Sequence, residues 1–424
     1  MKYLSPRYIF SLSISIWIVL YLFSPIEYIY TPSKMAIIVI ISYIFFFYLG
    51  TYLISLFNTV FILKGYVQNN NEFDSFRVKK IYNILFVVTS IGILLRFYDL
   101  LIVKSFFSYS SITDFRINYE ANDSGIVSIT SAILFPFGVA LSMFTIYLYK
   151  YLGSKHYILS FISLMCILFY PVLRGGRTTL TLLFVIIAVS IVLTNPAFIK
   201  KQLKKLFIYV ILFIFGLLFF VYSMNIIIDR LEFNGFTIPS HLEYMQPEYG
   251  IFIPENIIDL TRNEGIVAKL IYTLISLSWY CTHGLFEFFY LFDNFSLDNL
   301  VFGAQQFYPI FKFLELVGLS SITQEYLSSI VPMPGVYTTF YGPVFIDFGY
   351  LGFLYCFLLG VLIQYLWTKI QINTPIGLFL YPFFASVLLH SAFINMIDAG
   401  FGLYFLVSLI ISVCIVKYIG IRVQ

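Results

Sequence analysis

Ten apolar stretches, each about as long as a bilayer is thick, constrain this chain more than any other feature. They lie near residues 8–24, 35–57, 81–101, 126–149, 157–173, 178–195, 206–228, 346–367, 376–394 and 399–417. Crossing roughly 30 Å of hydrocarbon takes about 20 apolar residues in a helix, and only a helix or a closed barrel satisfies its own backbone there. The runs predict an all-α polytopic membrane protein with ten to twelve transmembrane helices. Composition agrees, because 60% hydrophobic and 11% charged residues leave too little polar surface to cover a soluble protein of 424 residues. The first run follows Lys2 and Arg7 with no small-residue cleavage site behind it, and reads as a retained signal anchor.

Charge divides the chain further. Residues 229 to 347 carry thirteen carboxylates against four cations, with seven of the fifteen prolines. Cationic loops are held in the cytoplasm. With the N-terminus inside, the inner segments 1–7, 64–80, 150–156, 196–205, 369–375 and 417–424 hold 15 of the 25 Lys and Arg, against two acids, Glu72 and Asp74. Both termini are then cytoplasmic and the acidic segment is external. The expected layout is residues 1–228 as seven helices, 229–345 as an extracytoplasmic loop and 346–424 as three more helices. Lys269 to Phe292 is apolar enough to cross, yet a crossing there would reverse the charge pattern of everything after it. It is expected to lie on the outer face or to re-enter it, with a second dip near 301–318 bringing the upper count to twelve.

The sharpest local motif is Arg174-Gly175-Gly176-Arg177-Thr178-Thr179, between the fifth and sixth runs on the side where cations should be scarce. The glycines permit a tight turn, Thr178 is the expected N-cap of the next helix, and a helix N-terminus adds partial positive charge. Guanidinium forks suit a phosphate, so the turn reads as an anion cradle. The competing reading has both arginines snorkelling to lipid phosphates. Arg116, in the loop after the third run, and Arg230, directly after the seventh, are expected at the same outer mouth. Each has a plain alternative, a solvated charge for Arg116 and local pairing with Asp229 for Arg230. Arg96, inside the third run, is a further candidate for a cavity-facing cation.

His283 and Glu287 stand four residues apart, so a helix puts them on one face as an imidazole held by a carboxylate, a usual proton acceptor. The competing reading is a buried histidine beside an unrelated acid. His390, with Asn395 and Asp398 nearby, is a candidate to line the same cavity. The first external loop has one acid, Glu27, and no Asp-x-Asp pair to hold a divalent cation beside a diphosphate, so neither metal nor cofactor is expected. Walker A, Gly-x-Ser-x-Gly and His-Glu-x-x-His sequences are absent. The scattered Cys166, Cys281, Cys356 and Cys414 point to neither a disulfide framework nor a zinc site. No feature points to nucleic acid.

The run Tyr337-Thr338-Thr339-Phe340-Tyr341-Gly342-Pro343, continuing through Asp347-Phe348-Gly349-Tyr350-Leu351-Gly352 to Gly360, resembles the O-antigen or oligosaccharide repeat-unit polymerase family. In that family a long outer loop ends in a Thr- and Tyr-rich stretch, an acid-Phe-Gly-x-x-Gly element and another helix. The Arg-Gly-Gly-Arg-Thr turn and Leu300 to Pro309 look like further family elements. The resemblance implies a fold like that of the C-type glycosyltransferases, placed in the cytoplasmic (inner) membrane. It implies polymerisation of undecaprenyl-diphosphate-linked oligosaccharide into O-antigen or capsule, without metal, alongside a chain-length regulator and a flippase. In that mechanism Arg174 and Arg177, helped by Arg116 or Arg230, hold the diphosphate. His283, a loop carboxylate such as Glu287, or Asp347 takes the acceptor's proton, Asp347 being also readable as an acid favoured by a helix dipole. Trp279, Tyr280, Tyr308, Tyr337 and Tyr341 would stack on sugars. The competing functions are a lipid-linked oligosaccharide flippase or exporter, disfavoured by the long acidic insert, and an O-antigen ligase.

Overall fold

In the computed structural model, which describes residues 2–61, 74–121, 125–194, 206–263, 265–333, 336–399 and 401–419, the apolar runs become helices. They are α1 (Pro6–Leu22), α2 (Lys34–Phe61), α3 (Ser75–Tyr98), α4 (Ile112–Ala121), α5 (Ile126–Leu134), α6 (Phe137–Tyr147), α7 (Ser154–Leu173), α8 (Arg177–Thr194) and α9 (Leu206–Phe233). The middle segment supplies α10 (Ile238–Tyr249), α11 (Glu255–Asp259), α12 (Ile266–Asn294), α13 (Tyr308–Leu316) and α14 (Gln324–Ile330). The chain closes with α15 (Tyr341–Phe348), α16 (Gly352–Gln371), α17 (Pro375–His390) and α18 (Gly402–Tyr418). The protein is an all-α membrane protein. Among the described residues six helical stretches are long and apolar enough to cross a bilayer, and α1, α17 and α18 are shorter apolar helices. The charged loops at 62–73, with Glu72, and at 195–205 lie outside the described residues.

Two of the expected runs are each split into two helices. Pro136 lacks the N–H that would continue α5 into α6. Gly349, at φ +52°, turns the chain between α15 and α16. Lipid offers no hydrophobic gain for bringing helices together, so close packing must do it. The pair α2 and α16 shows how: a Cβ on Gly50 would fall 2.2 Å from the Phe357 carbonyl oxygen, and one on Gly360 2.3 Å from that of Phe47. The two backbones touch because neither glycine has a side chain. Outward-facing Ile37, Ile41 and Phe45 on α2, with Ile158, Phe161 and Ile162 on α7, form apolar flanks suited to acyl chains. Helix α17 is nearly all buried and packs on α1, α8, α16 and α18.

The middle segment forms a helical cap with its own core, in which Ile227, Ile228 and Leu231 of α9 meet Leu242, Met245, Ile251, Tyr272 and Trp279. A two-residue strand, β1 (Glu27–Tyr28), from the α1–α2 connection pairs antiparallel with β2 (Ile251–Phe252), so that connection and the cap share one face. Both ends of α12 return to this face. Lys269 Nζ lies 3.9 Å from Glu232 Oε1 at the end of α9. Asp293 accepts from Tyr30 and from the Ser33 amide, in the connection before α2. Between them Tyr28 stacks on Phe286 at 3.8 Å and hydrogen-bonds Thr282. With 29 residues and roughly 40 Å of length, α12 therefore lies along the face as a beam over the helix ends.

Candidate active site

Beneath that beam the ends of α7, α8 and α9 enclose a chamber of about 750 Å³. Its sharpest feature is the turn between α7 and α8. Pro171 lies in the last turn of α7, and its carbonyl accepts from Arg174 N and, at 2.8 Å, from Gly176 N. Gly175, at φ +65°, reverses the chain, and a Cβ there would lie 3.0 Å from Ile112 Cγ2 and 3.4 Å from Ile226 Cδ1. Helix α8 begins at Arg177, so Thr178 sits in its first turn and is not its cap. The turn thus presents Arg174, Arg177 and the amides of a helix N-terminus to one space.

Neighbouring elements add two more cations. Asp229 accepts from the Thr113 backbone amide at 3.1 Å and from its hydroxyl, which docks the start of α4 on α9. Arg116 follows one turn along α4 and lines the chamber. Because Thr113 takes up Asp229, Arg230 has no local ion pair with it and lines the chamber as well. Arg177 lies over the Tyr280 ring at 4.8 Å, and Tyr280 is also a near neighbour of Arg230. Among the described residues no carboxylate stands within ion-pair distance of Arg177 or Arg230. The charges of Arg116 and Arg177 both oppose that of Arg230. Holding like charges together costs free energy that a polyanion in the chamber would relieve.

Arg174 shares two aromatic rings with a deeper arginine. Its guanidinium lies 5.7 Å from the Tyr170 ring and 6.0 Å from Phe401, while that of Arg96 lies 4.7 Å and 5.0 Å from the same rings. Arg96 is buried, donates to Ser128 O and Ser131 Oγ, and does not line the chamber. It braces the floor through Tyr170 and Phe401, which the sequence did not single out. Arg262 pairs on the surface with Asp259 at 3.0 Å, away from the chamber.

The expected proton acceptors separate. His283 lines the chamber, but its Nδ1 donates to Trp279 O at 2.7 Å and not to Glu287. Burial brings its pKa down to about 4, so it stays a neutral imidazole. Glu287 shares the helix but lies outside the chamber lining, buried against the Tyr28 side of α12, and burial pushes its pKa up to about 7. Spacing of four put both on α12 without making them a dyad. Asp347 is fully buried, and its two oxygens accept the amides of Gln305, at 2.9 Å, and Gln306, at 3.1 Å. It ties the 303–306 turn to α15 and faces neither the chamber nor its neighbour.

The aromatics separate too. Trp279, Tyr280 and Tyr337 line the chamber. The Trp279 indole is already packed against other rings, with His283 stacked at 4.3 Å and Tyr249 tilted against it at 4.4 Å, which leaves less of its face for a ligand. Tyr308 lines a smaller adjoining chamber. Tyr341 is buried in the bundle near Tyr43 and Phe288, away from both. His390, at the end of α17, and Asp398, in the connection to α18, do line the large chamber. No family model, curated protein or solved structure matches this chain.

Proposed function

We propose that this protein joins lipid-diphosphate-linked oligosaccharide units into a polysaccharide on the outer face of the cytoplasmic membrane, as a member of the repeat-unit polymerase family with a C-type glycosyltransferase-like fold. In this reading all ten apolar runs cross, the termini are cytoplasmic and the cap is extracytoplasmic, as the 15 inner Lys and Arg favour. One observation carries it: Arg116, Arg174, Arg177 and Arg230, from three separate stretches of chain, meet in one chamber on the cap side. A diphosphate leaving group is the anion that needs such a set. As the sugar C1–O bond breaks, negative charge grows on the phosphate oxygen, and fixed guanidiniums facing it lower the barrier without reorganising. The apolar flanks keep the lipid tail in the bilayer while its headgroup enters from the side.

The test uses the purified protein in lipid nanodiscs with lipid-diphosphate repeat units extracted from the native membrane. The expected result is a ladder of polymer with one lipid diphosphate released per bond formed. Arg174→Ala and Arg177→Ala proteins should insert normally and polymerise little; full activity in both would remove the arginine chamber from the mechanism. In cells, loss of this protein should leave single repeat units on the final acceptor, whereas loss of a ligase would leave none.

A further inference from the structure

A second chamber of about 210 Å³ adjoins the first, and the two share Val336, Tyr337, Ile394 and Asp398 as a common wall. Their chemistries differ. Apart from Asp398 the second lining holds no charged side chain; its polar groups are amides and hydroxyls, including Gln305, Gln324, Asn395, Tyr308, Ser328 and Thr338. Gln305 Oε1 is buried and has no hydrogen-bond partner among the described residues. At about 30 Å³ per water the space equals roughly seven waters, on the order of one sugar ring with its hydroxyls.

Asp398 is the one carboxylate among the described residues that line either chamber. It has open surface, and that surface faces the two chambers. Among the described residues nothing donates a hydrogen bond to it and no cation lies within ion-pair distance, whereas Asp347 is saturated by backbone amides. Its backbone is fixed: Ile397 N donates to Asn395 Oδ1 at 3.0 Å, Ala399 N to Asn395 O at 2.9 Å, and Ile394 bridges to Thr339.

We propose that the smaller chamber binds the uncharged glycosyl end of the acceptor, and that Asp398 at its junction with the arginine chamber takes the proton from the attacking hydroxyl. The assignment rests on the polymerase reading above. The acceptor oxygen forms a bond to sugar C1 of the donor, and the bond from C1 to the phosphate oxygen breaks. The lipid diphosphate leaves with the electron pair between the arginines, and the hydroxyl proton passes to Asp398 and then to water. His283, with its Nδ1 bonded to Trp279 O, is left to orient the donor side. Enclosure by protein, followed by the charge of Asp347, pushes the Asp398 pKa up to about 7, in the range of an effective general base. The titratable groups around it are Asp347 on α15, His390 at the end of α17, Tyr404 on α18, and Tyr308 and Tyr337 on the chamber walls.

The nanodisc assay tests this with Asp398→Asn, an isosteric change. The turnover number should fall at least about 100-fold. Affinity for inorganic pyrophosphate, read by tryptophan fluorescence, should stay within about twofold of wild type. Two exposed positions at the smaller chamber test the acceptor site without threatening the fold. Gln324→Ala and Ser328→Trp should raise the acceptor KM about tenfold while changing pyrophosphate affinity little. An Asp398→Asn protein that transfers within about threefold of wild type would overturn the base assignment, and an unchanged acceptor KM in Ser328→Trp would overturn the acceptor site. A wild-type protein that binds pyrophosphate and forms no polymer would overturn the polymerase reading itself, and this proposal with it.

Discussion

The two adjoining chambers hold opposite chemistry within one wall's thickness. The larger collects four arginines around a glycine turn and a helix N-terminus; the smaller, apart from Asp398 on the shared wall, is lined by uncharged groups, amides and hydroxyls among them. In the proposed reaction the difference would sort two large substrates that carry the same lipid diphosphate: charge would select the end that leaves, and uncharged hydrogen bonding the end that attacks. Asp398 stands where the two meet.

The largest expected effect breaks the charged side. Replacing Arg174 and Arg177 together with alanine should lower transfer about 100- to 1,000-fold in the ladder assay, with membrane insertion intact. Arg177→Lys should fail to restore it fully, because lysine lacks the planar fork and its stacking on Tyr280. Next in size is the pH response. Asp398 must be ionised to accept a proton, so the transfer rate should rise with pH through about 7 and level off above it. In Asp398→Asn that rise should vanish, as a rate profile from pH 5 to 9 would show.

Ionic strength should sharpen the contrast between the chambers. Pyrophosphate affinity should weaken several-fold between low and high salt, while the acceptor KM moves little, because screening acts on charges and leaves neutral hydrogen bonds nearly unchanged. The smallest effect concerns Glu287, behind the chamber. Its folded pKa of about 7 lies above that of an unfolded glutamate, so the folded state binds more protons between pH 4.5 and 7. Stability is therefore lost as pH rises through this window. Glu287→Gln should abolish that slope and raise the Tm at pH 8 by about 3 °C, measured by thermal unfolding in nanodiscs.

The bundle was legible in the sequence because hydrocarbon permits few alternatives: each long apolar run has a helix in the corresponding place, and the splits occur at Pro136 and Gly349. The Arg-Gly-Gly-Arg turn stood out in the sequence for a related reason, two cations on the side where the expected topology disfavours them. What spacing could not give was the direction of each side chain. A separation of four residues put His283 and Glu287 on one helix, but only packing shows that the imidazole turns to Trp279 O and that Glu287 stays outside the chamber lining. Asp347 and Tyr341 sit in the motif that carries the family resemblance, yet one holds backbone amides and the other fills the core. Asp398 had only a faint signal, an acid in a short connection between two apolar helices. Its position depends on Ile394 and Ser391 pairing with Thr339 and Phe340, more than fifty residues away in sequence.

The most direct measurement follows bond formation and lipid diphosphate release together, in wild-type nanodiscs supplied with native lipid-diphosphate repeat units. One lipid diphosphate should be freed for every glycosidic bond in a growing ladder, with both signals lost when Arg174 and Arg177 are replaced. Intact donor after prolonged incubation, or equal turnover in the doubly substituted protein, would contradict the proposed transfer.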